Sequence, residues 1–223
     1  EFRRVLFRSL YKYSQSTRFS PHINKIIQEC WHTSNVPDTF LDIILCSLFK
    51  SGNKQMCEIQ RGISLLSHLC KALIRLCANR ISQHCEKEGI LPESQSAFRK
   101  NRSTNDMVFT ARLLQYSCMD KNIPLYLAFI DIAKAYDFVH RPTLRKILQT
   151  ISIPPKLLAL LKTLYGENNC RVKFCNKFSK SFKLLEGLKQ GCPAACILFN
   201  IFFFHCHFCH QTKTPNKRST AQI

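Results

Sequence analysis

Between Pro124 and Ile130 the chain runs PLYLAFI, a near-continuous apolar stretch of strand length that stops on Asp131 and gives way to small and basic residues. Such a run reads as a buried strand that delivers a carboxylate at its C-terminal end. A second carboxylate, Asp137, follows six residues later within AFIDIAKAYD (Ala128 to Asp137). The same residues can also be read as a core strand followed by a surface turn whose aspartates cap a helix.

The remaining segments supply the company such a strand needs. A helical signal spans His22 to Glu29, and Thr39 to Leu48 is apolar with a β-branched centre, ending at the turn residues Ser51-Gly52-Asn53, so a strand entering a turn is expected there. From Ser64, the residues Leu65, Leu69, Leu73, Leu76 and Ile81 recur at helical spacing up to Gly89. Ser103-x-x-Asp106 forms a capping box opening a helix through Met107, Phe109, Leu113 and Leu114. Arg141 to Ile151 and Pro155 to Tyr165 read as short helices, the second with proline at an early position. Cys170 to Phe174 and Phe182 to Leu185 read as a hairpin, followed by a polar turn bracketed by Gly187 and Gly191 and by the apolar Cys192 to Phe204. The order is α+β, in one continuous unit without repeats or a Gly/Ser linker.

Charge says what such a unit meets. The chain of 223 residues carries 33 Lys plus Arg against 14 Asp plus Glu, a formal net charge of +19. That excess repels itself unless phosphates offset it, so nucleic acid is the expected partner. Residues 121–223 hold 16 basic side chains and four acidic ones, Asp131, Asp137, Glu167 and Glu186, so any carboxylate chemistry in this half rests on those four. The 13 cysteines form no even framework, which points to a reducing, intracellular setting. Cys70, Cys77 and Cys196 fall on apolar helix faces as buried thiols. The most apolar stretch, Ala194 to Phe204, is shorter than the roughly 20 residues of a membrane span and contains Asn200, so no membrane partner is expected.

Three further segments carry residue types suited to phosphate and base contacts. In GLKQGCP (Gly187 to Pro193), two glycines around Lys189 and Gln190 allow close approach of backbone to a nucleotide or template strand. In QRGISLLS (Gln60 to Ser67) and ESQSAFRKNRSTND (Glu93 to Asp106), Arg61, Arg99 and Arg102 lie in turns beside helix starts. Asp131 at a strand end is a hard oxygen ligand suited to Mg²⁺, with the backbone carbonyl of Ile132 as a further ligand and Tyr136 beside the sugar. Taken singly, each segment can equally be a plain loop or a solvated charged surface.

Together, in this order and spacing, VPDTF, FKSGN, RGISLLS, LPESQSAFRKNRSTNDMVFTAR, PLYLAFIDIAKAYD, GLKQGCP and LFNIFF resemble the reverse transcriptase domain of non-LTR (LINE-type) retrotransposons, from about Pro37 to Phe204. The resemblance implies a right-hand polymerase fold of fingers and palm, with an incomplete ferredoxin-like palm sheet and flanking helices. It implies phosphodiester formation from deoxynucleoside triphosphates on an RNA template and a DNA primer, assisted by two Mg²⁺ ions. Asp131 matches the family's first metal-binding, catalytic aspartate. Tyr136 matches the aromatic position that crowds a 2′-hydroxyl, and Asp137 a second acidic position of structural role. Gly187, Lys189, Gly191 and Pro193 match the loop against template and primer, with Gln190 at the nucleotide. Arg61 and Arg99 match basic positions toward the nucleotide, and Arg102 one toward the template.

Two departures qualify this. The family's Phe/Tyr-Ala-Asp-Asp hairpin, which supplies the other metal-binding aspartates, has no counterpart here, and no acidic residue follows Glu186. Weak Mg²⁺ binding and an inactive fragment of the domain are therefore the expectation for these residues, the alternatives being a catalytically dead nucleic-acid-binding remnant or a non-functional pseudogene product. Along the chain, residues 1–9 (EFRRVLFRS) read as a translated adapter sequence, 10–36 as an N-terminal helical extension, 37–204 as a partial reverse transcriptase domain, and 205–223 as an off-pattern tail of frameshifted type. The tail's Cys206-x-x-Cys209, with His205, His207 and His210, has zinc-ligand residue types but no second ligand pair.

Overall fold

The computed structural model describes residues 20–49, 60–175 and 177–211. The turn expected at Ser51-Gly52-Asn53, the leader and most of the tail lie outside the described residues.

Helix α1 (Ser20–Thr33) is followed by the short α2 (Asp38–Leu41), strand β1 (Ile43–Phe49), strand β2 (Gln60–Leu65) and the long helix α3 (His68–Lys87). Helices α4 (Thr104–Asp120), α5 (Arg141–Thr150) and α6 (Pro155–Leu164) lead to β3 (Asn168–Phe174), β4 (Lys177–Phe178), β5 (Phe182–Leu184) and α7 (Ala195–Gln211). The sheet runs β2-β1-β3-β4, with β5 also paired to β3. β1 pairs antiparallel with β2 and parallel with β3, and the long crossover between β2 and β3 carries the four central helices.

The expected helix from Ser64 to Gly89 begins later. Ser64 and Leu65 belong to β2, paired with Leu45 and Ile44, and Ser67 caps α3 by accepting from the Cys70 N–H at 3.2 Å. Its far end is as read: Gly89 takes φ 60° just past the last turn. Cys70, Leu73, Ile74, Cys77, Ala78, Ile81 and Cys85 form the buried stripe of α3, at the three- and four-residue steps of a helix face. Leu157, Leu160, Leu161 and Leu164 of α6, Leu144 and Leu148 of α5, and Ile197, Leu198 and Ile201 of α7 complete one core. Helix α7 continues beyond Phe204 to Gln211.

The strand expected at Pro124–Ile130 does not form. The segment is irregular and exposed, with Tyr126 at 89%, Phe129 at 92% and Ile130 at 87% of their full accessibility. A strand needs a neighbour to accept its backbone hydrogen bonds, and no described segment pairs with it. Helix α4, immediately before it, has no buried residue, although its capping box forms as read: Ser103 N–H donates to Asp106 Oδ2 at 2.7 Å, and Asp106 N–H to Ser103 Oγ at 3.3 Å. The sheet is thus partial and is built from β1 to β5 instead.

Because directly paired residues share a sheet face, Ile43, Leu45, Cys170 and Val172 line the inner face. The outer face carries Arg61, Arg171, Lys173, Phe178 and Lys183, all exposed, around half-buried Ile44, Cys46 and Ile63.

Candidate nucleic-acid interface

The site grows from a turn and a loop that lock together. After Asp131, which is exposed, the backbone turns at Lys134 (φ 49°), whose carbonyl accepts from the Asp137 N–H at 2.8 Å. The glycine loop clamps this turn: Gly187 N–H donates to Val139 O at 3.1 Å and Leu188 N–H to Tyr136 O at 2.7 Å. Gly187 has φ 74°, and a Cβ there would lie 2.9 Å from Asp137 O, so no side chain fits. The Asp137 carboxyl is held above the ordinary carboxylate range by partial loss of hydration, with Lys134 opposing.

Tyr136 turns inward. Its hydroxyl donates to Cys196 Sγ at 3.5 Å, its ring packs on Phe199 with centroids 5.2 Å apart, and burial raises its phenol.

The loop's other end is fixed to β2. Gln190 O accepts from the Ser64 N–H at 2.7 Å, and at Gly191 (φ 95°) a Cβ would meet Ser64 O at 3.1 Å and Ile63 Cγ2 at 3.3 Å. Pro193, half-buried, leads into α7. Tyr136, Asp137, Gly187, Gln190, Gly191 and the strand bearing Arg61 therefore form one continuous assembly, with Arg61 itself exposed on the outer sheet face.

Lys189 does not take part in that surface. It is 1% exposed and donates to Leu164 O at 2.7 Å, so the ammonium faces the core rather than a template. Burial pushes its pKa down to about 8 against the opposing pull of Cys192 and Cys70. Arg99 is also engaged internally. Its guanidinium forks onto Glu86 at 2.9 and 2.7 Å and donates to Pro92 O at 2.7 Å and Gln95 O at 3.2 Å. The fork raises Arg99 and lowers Glu86. Arg102 pairs with Glu93. The same loop is tied to α7, where Asn200 accepts from Gln95 Nε2 at 3.3 Å and donates to Ala97 O at 2.8 Å.

Arg141, named in the sequence only as a helix start, organises the centre. Although 3% exposed, it donates to Gly187 O (2.9 Å), Tyr165 O (3.1 Å), Gly166 O (3.1 Å), Leu184 O (2.8 Å) and Glu186 O (3.1 Å). With Lys189 on Leu164 O, two cations meet the C-terminal carbonyls of α6, where the helix dipole is negative. Among the described residues neither cation has an acidic partner in an ion pair. A signal existed: a cation at the first position of α5 opposes that helix's own dipole, so its use lies elsewhere.

For a metal, the donor set is thin. Among the described residues no three His, Cys, Asp or Glu side chains gather as a metal-holding group, so a two-ion site does not fit Asp131 and its surroundings as they stand. No helix among these residues is long and apolar enough to cross a membrane.

A mixed α/β unit that locks a glycine loop onto an aspartate-bearing turn, beside a sheet with a basic outer face, has the parts of a polymerase domain. Residues 50–212 match the family "Reverse transcriptase (RNA-dependent DNA polymerase)", nearly three quarters of the chain, and the chain belongs to that family. It is similar to the Transposon TX1 uncharacterized 149 kDa protein of Xenopus laevis (25% identical over 181 residues, 81% of this chain and 14% of the relative). It also resembles the probable RNA-directed DNA polymerase from transposon BS of Drosophila melanogaster (31% over 148 residues, 65% and 16%). A third relative is the retrovirus-related Pol polyprotein from type-1 retrotransposable element R2 of Nasonia vitripennis (25% over 142 residues, 63% and 13%). These are the non-LTR elements that the motifs indicated, and the chain spans only about a seventh of their length.

Proposed function

We propose that this chain is the part of a non-LTR reverse transcriptase domain that cradles an RNA template, a DNA primer and the incoming deoxynucleotide, with β1, β2, α3 and α4 in the fingers and α5 to α7 in the palm. The observation that carries this is the clamp of Gly187 and Leu188 on the Tyr136–Asp137 turn. It fixes the loop, with Gln190 half-buried and Gly191 exposed at its far end, beside the turn that follows Asp131, so that template and incoming base pair would meet a surface already locked in place. Arg61 offers a guanidinium on the adjoining strand for phosphates. Asp131 would be one oxygen ligand of Mg²⁺, whose chemistry when bound is to polarise the attacking hydroxyl and neutralise phosphate charge. An intracellular setting suits a polynucleotide partner of this kind.

A second reading, binding without catalysis, is favoured by the thin donor set: among the described residues no three His, Cys, Asp or Glu side chains gather around Asp131. The 223 residues alone are then a binder of template–primer and not a polymerase. Primer extension on an RNA template with Mg²⁺ separates the two. The expected result is retention of the template–primer at low salt with no added nucleotide. Incorporation that Asp131→Ala abolishes would overturn the binding-only reading and establish a complete site within these residues.

A further inference from the structure

The β3–β4–β5 ribbon carries a feature that the glycine-loop site does not use. Residues 171–183 hold Arg171, Lys173, Lys177, Lys180 and Lys183, no acid, and phenylalanines at every fourth position, Phe174, Phe178 and Phe182. The rings are exposed at 64%, 52% and 41%, and all five cations are exposed. Register sets Lys173 opposite Phe178 and Phe174 opposite Lys177, so each face of the ribbon bears a lysine–phenylalanine pair. Lys173 Nζ lies 5.9 Å from the Phe178 centroid. Lys183 reaches an acid, Glu167, at 3.7 Å, with both groups solvent-exposed. β5 ends at Leu184, and the chain passes directly into the glycine loop at Gly187.

We propose that this ribbon is a separate contact for single-stranded nucleic acid passing around its β4 edge, with one base stacked on Phe178 on the outer face and another on Phe174 on the opposite face, and phosphates held by Arg171 and Lys173 on the first, Lys177 on the second and Lys180 beyond β4. Exposed phenyl rings among cations suit unpaired bases, because every base offers a π-face and the lysines offset the phosphates. A duplex does not fit as well, since its base faces are already covered by their neighbours. The continuity of β5 with the glycine loop makes the ribbon a track by which a single strand reaches the site. The inference rests on the nucleic-acid reading above and narrows it to an address and a strandedness.

Fluorescence anisotropy with labelled oligouridine and with an RNA–DNA template–primer duplex tests it, using the full chain. The double variant Phe174→Leu/Phe178→Leu keeps apolar bulk and removes the rings. It is expected to weaken oligouridine binding about 10-fold and leave duplex binding within about 2-fold, while Phe174→Tyr/Phe178→Tyr restores it. Lys173→Gln/Lys177→Gln/Lys180→Gln is expected to flatten the salt dependence of oligouridine binding by about 2 in log–log slope. Unchanged oligouridine binding in the leucine variant, or equal loss on both probes, overturns the ribbon. If wild type binds the duplex but not oligouridine, the ribbon fails while the broader reading stands; if it binds neither, both fail.

Discussion

Gly187 lies so close to Asp137 that a Cβ on it would stand 2.9 Å from the Asp137 carbonyl oxygen and 3.0 Å from its Cα. Two segments separated by fifty residues are thereby held at backbone contact, and the left-handed φ of 74° adds a second reason for glycine. Gly187→Ala is expected to cost about 3 kcal/mol, the left-handed penalty plus displacement of backbone that cannot rotate away. Gly89→Ala, at φ 60° but facing open space, should cost only about 1 kcal/mol. Urea unfolding of the two variants checks the difference, and equal costs would place the strain in φ alone.

Arg141 joins the carbonyls at the end of α6, the end of β5 and the start of the glycine loop. Arg141→Met leaves these acceptors buried without a donor and is expected to lose about 3–5 kcal/mol. Arg141→Lys, a point donor without the planar fork, should recover less than half. Chemical denaturation midpoints measure both.

Lys189 gives a pH signature. Its folded pKa of about 8 lies below the unfolded value of 10.5, so above pH 8 the unfolded chain holds more protons at this site and stability attributable to it rises with pH. The buried thiols act oppositely: Cys70 is pushed up to about 11 and Cys77 and Cys85 to about 12, so they destabilise the fold once unfolded thiols ionise above pH 9. The lysine is therefore isolated as the difference between wild type and Lys189→Met. That difference should move by about 1 kcal/mol in favour of wild type between pH 8 and 9. A flat difference would mean the amine is not buried.

The exposed run from Tyr126 to Ile130, next to α4 with its exposed Phe109, Leu113 and Met119, is an apolar patch without a described partner. Phe129→Glu/Ile130→Lys should reduce concentration-dependent self-association in sedimentation experiments while changing the unfolding midpoint little, since surface substitutions stay within about 0.5 kcal/mol.

These residues also mark what the sequence discloses. The stripe of α3, the Ser103–Asp106 box and the hairpin are legible because each is set by local spacing or local hydrogen bonds, whereas the glycine loop shows in the sequence only as two glycines around a polar pair, its anchors at Tyr136, Val139 and Ser64 being distant. Ser64 and Leu65 read as a helix start because Leu65 falls at helical spacing from Leu69, and Arg61 reads as part of a turn before it, yet pairing with β1 and the Gln190 carbonyl makes Gln60–Leu65 a strand. Pro124–Ile130 has the composition of a buried strand, but composition does not supply a pairing neighbour. Lys189 and Arg99 read as phosphate contacts because a sequence shows charge and not direction; the fold turns one toward the α6 carbonyls and the other onto Glu86. Arg141 was hidden for the same reason.

The central claim is that the glycine loop and the Tyr136–Asp137 turn form a surface for template–primer. The most direct measurement is equilibrium binding of an RNA–DNA template–primer to the full chain across a salt series, for wild type and Gly187→Val, with folding of both verified by circular dichroism. The account predicts binding at low salt that falls linearly in log–log form as phosphate contacts are screened, and at least a 10-fold loss in a Gly187→Val protein that remains folded. Salt-independent binding, no binding at low salt, or full affinity in folded Gly187→Val would contradict it.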